Sequence, residues 1–209
     1  MALLALPGGA CITNGFDGVA RLTGTWLMSS GGANLDSYVY GYNLAGQRTN
    51  VVRLAGDFVN YSYDNGGQLK TATGKEPGGV TNRWQEQLAY GYDGAGNLTG
   101  RTNNKLAQAF RVNALNELTN LTRSGTWTVA GLTTLPATNV TVNTSNAVLY
   151  ADNSFAATNF TLINGVNPFT AIAKDSLGRI DTNVVSVNLP ATNRYAYDLN
   201  GNLLTNGNL

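Results

Sequence analysis

Apolar and polar residues alternate in short runs along most of this chain, and turn-forming residues cut the runs at regular intervals. Two tyrosines one residue apart recur just before many of these cuts. Tyr61 and Tyr63 precede Asp64, with Gly67 and Leu69 following. Tyr90 and Tyr92 precede Asp93, with Gly96 and Leu98; Tyr195 and Tyr197 precede Asp198, with Gly201 and Leu203. Tyr40 and Tyr42 precede Asn43 and Gly46, but Arg48 takes the leucine place. Two copies are worn: Phe110, Val112, Asn113, Asn116 and Leu118, and Phe16, Asp17, Ala20 and Leu22. Residues two apart on a strand share a face, so paired tyrosines project together. Asp or Asn then opens a turn by accepting bonds from backbone N–H groups ahead of it. Three residues on, the chain needs a positive φ, which glycine adopts at no steric cost and asparagine tolerates. Each unit therefore reads as a β-hairpin with a three-residue loop. Ala20 does not suit that conformation, so the first copy is expected to turn differently.

Between the units lie further turns, at Gly56-Asp57, Pro77-Gly78-Gly79 and Asn103-Asn104. A single hairpin is marginal in water, whereas adjoining ones share a buried face. The prediction is an all-β chain, an antiparallel hairpin meander. The turn-opening residues recur every 20–29 residues up to Asn113, and the next is Asp198. That last gap leaves a surplus of about 60–65 residues, enough for a small domain. Within it the tyrosine pairs vanish. Strand-like runs appear at 140–143, 155–162, 169–174 and 183–189, separated by Asp152-Asn153, Asn164-Gly165 and Asp175–Gly178. Short strands at such spacing read as a β-sandwich. Its expected core is Val140, Val142, Phe155, Phe160, Leu162, Phe169, Ile172, Val185 and Val187, with Trp127 covering one end. The expected segments are 1–13 at the N-terminus, hairpins over 14–123, the sandwich over 124–190, and a last hairpin over 191–209.

Composition removes several kinds of chemistry. The net charge of +1 gives no broad attraction to nucleic acid or to anionic lipid. No apolar run approaches the roughly 18 residues of a membrane span, so membrane insertion is not expected. Histidine is absent, which excludes Ser-His-Asp and Cys-His nucleophiles and histidine-bound metals. Cys11 is the lone cysteine, so an internal disulfide is impossible. Paired carboxylates could in principle cleave glycosides, yet Asp64, Asp93 and Asp198 are accounted for as turn residues. Glu76, Glu117, and Glu86 with Arg83 read as solvated strand faces. Asp152, Asn153 and Asp175 lie in loops that could offer oxygen to calcium, but such turns need no ion. No glycine-rich loop links a strand to a helix, so nucleotide binding lacks support. The expectation is no catalytic residue, no cofactor and no metal. The N-terminal run MALLALPGGAC is short, lacks a basic start and is broken at Pro7, unlike a secretion signal.

The YxYDxxGxL units resemble those of the Rhs/YD-repeat family, over residues 14–123 and 191–209. The insert is similar to bacterial Ig-like domains, through VTVN at 140–143, DNSF at 152–155 and the run 167–190. The first resemblance implies a secreted or surface-exposed bacterial protein whose repeats wind into a β-sheet shell. In many members that shell encloses a toxin used against neighbouring cells. It implies neighbouring YD repeats of a longer chain as partners, since 209 residues are too few to close a shell, and the fold expected here is a partial β-shell. The alternative is a carbohydrate-binding or adhesion module, with exposed aromatic rows stacking on cell-surface glycans, or binding surface proteins. The competing reading of those tyrosines is packing between hairpins.

Overall fold

A computed structural model describes residues 2–207; residue 1 and residues 208–209, at the ends of the first and last expected segments, lie outside it. The chain divides into two compact units, Met1–Asn82 and Arg83–Leu209. Apart from one short 3-10 turn at Pro7–Gly9, the regular structure is strand.

In the first unit the strands are β1 (Ala2–Ala5), β2 (Cys11–Phe16), β3 (Leu22–Met28), β4 (Asn34–Tyr42), β5 (Arg48–Arg53), β6 (Phe58–Tyr63) and β7 (Leu69–Lys75). Each pairs antiparallel with the next. This is a meander in strict chain order, as the turn spacing predicts. The strand β1 has no counterpart in the sequence reading, which left residues 1–13 without an element. It pairs Leu4 with Ile12 and Ala5 with Cys11.

One turn geometry closes most of the hairpins. At Asp64 the backbone N–H donates to the Gln68 carbonyl (2.9 Å), and Gly67 N–H donates back to the Asp64 carbonyl (3.1 Å). Asp64 Oδ1 accepts from the N–H groups of Gly66 and Gln68, each at 2.9 Å. Gly67 sits at φ 83° and the ladder slips between Ser62 and Tyr63. This is a type I turn closed by a left-handed residue and a bulge. The links between repeats reuse it: Ser29 N–H to the Ala33 carbonyl with Gly32 at φ 82°, and Arg53 N–H to the Asp57 carbonyl with Gly56 at φ 85°.

The first copy makes the same turn, contrary to expectation. Ala20 is held at φ 64°, its N–H donating to the Asp17 carbonyl (3.1 Å). Asp17 Oδ1 accepts from Val19 (3.0 Å) and Arg21 (2.9 Å), and Arg21 Nε donates to Asp17 Oδ2 at 2.7 Å. These bonds outweigh a left-handed cost of about 1 kcal/mol for a residue with a Cβ. Ala20→Gly is therefore expected to stabilise the first unit by about 0.5–1 kcal/mol. An unchanged or lowered urea midpoint would contradict the strain.

The sheet of this unit covers itself. Val51, Val59 and Ala72 are its buried apolar residues, and they lie beside tyrosines: Tyr40 pairs with Val51, Val51 with Val59, and Ala72 with Tyr61. The long rings supply the cover that a second layer supplies elsewhere. Trp26 lies so close against Gly24 that a Cβ there would collide with its ring unless the ring shifted.

In the second unit β8 (Asn82–Tyr92), β9 (Leu98–Asn103), β10 (Leu106–Val112) and β11 (Leu118–Gly125) continue in chain order. The chain then leaves the meander. It forms β12 (Trp127–Leu132), β13 (Ala137–Val142), β14 (Ser145–Asn146), β15 (Val148–Leu149), β16 (Ser154–Phe160), β17 (Val166–Asp175) and β18 (Ile180–Asn188). It returns as β19 (Thr192–Arg194), which pairs with β11, followed by a small hairpin of β20 (Ala196–Tyr197) and β21 (Leu203–Thr205). Excursion and return thus begin and end on neighbouring strands, which is how an insertion spares its host.

The excursion forms two sheets, β12-β16-β15 and β14-β13-β17-β18. One apolar cluster joins them: Val129, Val140, Val142, Phe155, Ala157, Leu162 and Phe169, with Phe160, Val187 and Trp127 packed on its margin. Two expected core residues are misplaced. Ile172 is 39% exposed, because it stands three residues from Phe169, and an odd separation on a strand puts it on the opposite face. Val185 pairs with Phe169 and shares its face, yet it is 47% exposed. It lies on β18, an edge strand of the four-stranded sheet, where the three-stranded partner leaves it uncovered.

Candidate functional site

The repeated residues converge on one task, which is holding each hairpin to the one before it. Tyr42 donates its hydroxyl proton to the Leu22 carbonyl at 2.7 Å. Tyr63 donates to the Arg48 carbonyl at 2.8 Å, and Tyr197 to the Leu118 carbonyl at 3.0 Å. In each case the acceptor is the first residue of the previous repeat's returning strand. The second tyrosine of a pair thus reaches back one repeat to the same position. Tyr197 does so across 79 residues, so the excursion leaves the repeat register intact. Phenylalanine could pack in that place but could not make this bond.

The turns are joined as well. Arg21 Nη1 donates to the Asn43 carbonyl (3.2 Å), and Gln47 Nε2 donates to the Gly67 carbonyl (3.1 Å). In the second unit Asn97 Nδ2 donates to Asn116 Oδ1 at 2.8 Å. These side chains stand four residues after the turn-opening Asp or Asn. The same residue often also binds its own turn: Asn97 Nδ2 to Asp93 Oδ2 (3.0 Å), Asn202 Nδ2 to Asp198 Oδ2 (2.8 Å). The sequence reading missed this position, although Arg, Gln or Asn recurs there at a fixed offset.

Of the residues singled out in the sequence, Tyr40 and Tyr42 end β4, and Asn43 and Gly46 form its turn. Tyr61 and Tyr63 lie on β6, with Leu69 opening β7. Tyr90 and Tyr92 end β8, Asp93 and Gly96 make the turn, and Leu98 opens β9. Tyr195 falls between β19 and β20, its N–H on the Thr119 carbonyl (3.0 Å), while Leu203 opens β21 beyond the Asp198 and Gly201 turn. The rings of Tyr40 and Tyr42 are faced by Arg48 and Arg21, with guanidinium carbons 4.0 and 4.9 Å from the centroids. These two ring faces, and the hydroxyls of Tyr42, Tyr63 and Tyr197, are already engaged within the fold.

Four of the turn aspartates are equally committed. Asn97's side chain and backbone N–H hold Asp93 below the usual carboxylate range, and Asn202 does the same for Asp198. The backbone N–H and then the side chain of Arg21 lower Asp17, and the Arg179 guanidinium lowers Asp175. A carboxylate held in its charged form is a poor general acid. The consequence for stability has a definite sign. Each group's folded value lies below its ordinary 3.8, so its contribution is complete above that value and is lost as pH falls through the folded one. Thermal midpoints are expected to hold between about pH 7 and 5 and to drop below about pH 4. A midpoint flat down to pH 2 would contradict this. Among the described residues no group of three or more Cys, Asp or Glu is placed to hold a metal.

A second cluster was invisible in the sequence. Arg83 on β8, which the sequence marks only as a neighbour of Glu86, is 2% exposed. Its Nη2 donates to Asp152 Oδ2 (2.6 Å) and Ser154 Oγ (3.0 Å), and its guanidinium carbon lies 4.8 Å from the Tyr150 centroid. Tyr150 Oη accepts from the Trp84 N–H at 2.8 Å, and Gln85 Nε2 reaches Ser154 Oγ at 3.2 Å. Burial pushes the Asp152 carboxyl up, but Ser154 and Arg83 overcome it and hold the group below its ordinary value. Arg123 on β11 grips the other side, with Nε on the Leu189 carbonyl (2.6 Å) and Nη2 on those of Leu162 and Ile163 (3.3 and 3.2 Å). Lys105 Nζ reaches Asn159 Oδ1 at 3.0 Å. The host strands of this unit, and the β9–β10 turn that carries Lys105, therefore clasp the sandwich with three cationic side chains.

No family model matches the chain, and no curated protein matches it. Among solved structures it is similar to chains in the crystal structures of TcdB2-TccC3-Cdc42 and of TcdB2-TccC3. Identity is 16% in both, with TM-scores of 0.49 and 0.47. The matches cover 92% and 94% of this chain but only 9% and 11% of those. The chain thus spans about a tenth of the length of the structures it matches.

Proposed function

We propose that this chain is a wall segment: a non-catalytic stretch of a β-sheet shell of the Rhs/YD-repeat kind, carrying an Ig-like sandwich, in a secreted or surface-exposed bacterial protein. The observation that carries the reading is the tyrosine-to-carbonyl ladder. Every bond in it runs from one repeat to the same place in its predecessor, so the pattern can be extended without limit in either direction. The self-covering sheet of the first unit fits a wall one layer thick. Sugar binding by the tyrosine rows is less well supported, because the hydroxyls of Tyr42, Tyr63 and Tyr197 are bonded to backbone and arginines lie over Tyr40 and Tyr42. In the family that the repeats resemble, such walls enclose a toxin, and enclosure of a cargo chain is the role assigned here. Electron cryo-microscopy of the complete polypeptide that carries this segment tests it. The expected image is a curved wall in which further strands pair with β1. A free β1 edge on a separate small domain would overturn the proposal.

A further inference from the structure

The sandwich has an open side. Along it runs a groove of about 370 Å³ between β12 and β18, with Val129, Val140, Phe155, Ala171 and Val185 among its lining residues. Its rim is β18, which pairs with β17 on one side and, among the described residues, with no strand on the other. Edge strands in stable monomers are short or guarded by lysine, proline or a bulge. β18 has no lysine, proline or bulge, and its one charged side chain, Asp181 near its start, accepts from the Thr182 N–H at 2.8 Å. It runs for nine residues, pairs with β17 without a slip, and carries no charge from Thr182 to Asn188. Ile180, Val184 and Val185 on it are 64%, 59% and 47% exposed.

We propose that β18 is a self-pairing edge, and that two copies of this chain join through it into an antiparallel, two-fold symmetric dimer. The strand is complementary to itself. With the axis at Val184, Val184 faces Val184, Thr182 faces Ser186, and Asn183 faces Val185. No like charges meet, and the threonine and serine hydroxyls can bond each other. Direct partners in an antiparallel pair lie on one face. The register therefore brings Val185 and Val187 of the second copy to the open side of the groove. Apolar surface exposed in the single chain is covered by the same residues that expose it, which is the requirement of an isologous contact. The proposal does not depend on the repeats forming a shell.

Sedimentation of the purified chain over a concentration series tests it, together with Val184→Lys, Val184→Glu and their equimolar mixture. Val184 is exposed in the single chain, so the variants are expected to keep the parental circular dichroism. The parent is expected to dimerise. Each variant alone should associate at least about tenfold more weakly, because two like charges meet at the axis. The mixture should recover the dimer. Val184→Cys in a Cys11→Ser background should form a disulfide-linked dimer on mild oxidation, since paired strands bring Cα atoms within bonding range. A monomeric parent would overturn the proposal. So would association that Val184→Lys leaves unchanged, for instance through β1, or a mixture that stays monomeric.

Discussion

Arg83→Ala will lower the stability of the second unit by about 3 kcal/mol. The guanidinium is buried, and its loss takes the donor from Asp152 Oδ2 and one of two donors from Ser154 Oγ. Removing one partner of a buried pair commonly costs about 3–5 kcal/mol. The low end applies because the Asp152 side chain is 31% exposed and water can reach it. The effect should also be local in a telling way. Once Arg83 is gone, the 150–154 turn loses its charged tie to β8 and keeps the neutral bonds of the Trp84 N–H to Tyr150 and of Gln85 to Ser154, so its amides should exchange with solvent faster than those of β9 and β10. Urea unfolding with hydrogen exchange measures both. A variant within 0.5 kcal/mol of the parent, an ordinary surface value, would show that the clasp is ornamental.

Phe169→Ala will cost about 3–5 kcal/mol, while Ile172→Ala on the same strand will cost less than about 1 kcal/mol. Phe169 is 3% exposed and meets Phe160 edge-on, with centroids 5.3 Å apart. Its removal empties the centre of the cluster that joins the two sheets. Ile172 points away from that cluster. A larger loss at Ile172 than at Phe169 would mean that the strand register is wrong by one residue, which would turn every side chain of β17 to the other face. The urea midpoints of the two variants decide it.

The turns were legible in the sequence because their chemistry is local. An Asp at one place, a Gly three later and an apolar residue two beyond that dictate a hairpin wherever they occur. Asp175, Gly178 and Arg179 make the same turn inside the sandwich, where Asp175 Oδ1 accepts from Leu177 and Arg179 at 2.9 Å each. Ala20 shows the limit of residue preference: the Asp17 carboxylate and the hairpin ladder impose a conformation that alanine alone resists. The sandwich core was partly legible. Alternation placed Val140, Val142, Phe155 and Phe169, but Ile172 was assigned by its apolar character against its parity. Arg83 left no local trace, because its partner Asp152 is 69 residues away and nothing near either residue marks the pair. The tyrosine ladder left a faint one. In the copies with two tyrosines, the second is the member whose hydroxyl bonds the preceding repeat at Tyr42, Tyr63 and Tyr197, and only its target lies out of view.

The recurring tyrosines are held here to be joints between repeats, and Tyr42→Phe, Tyr63→Phe and Tyr197→Phe test that most directly. Each removes one oxygen and keeps the ring, so packing is spared and only the bond to the preceding repeat is lost. Urea unfolding should show each variant destabilised by about 1 kcal/mol, with the Tyr42 and Tyr63 losses adding in the double variant. Three variants as stable as the parent would contradict the account, because the hydroxyls would then hold nothing together.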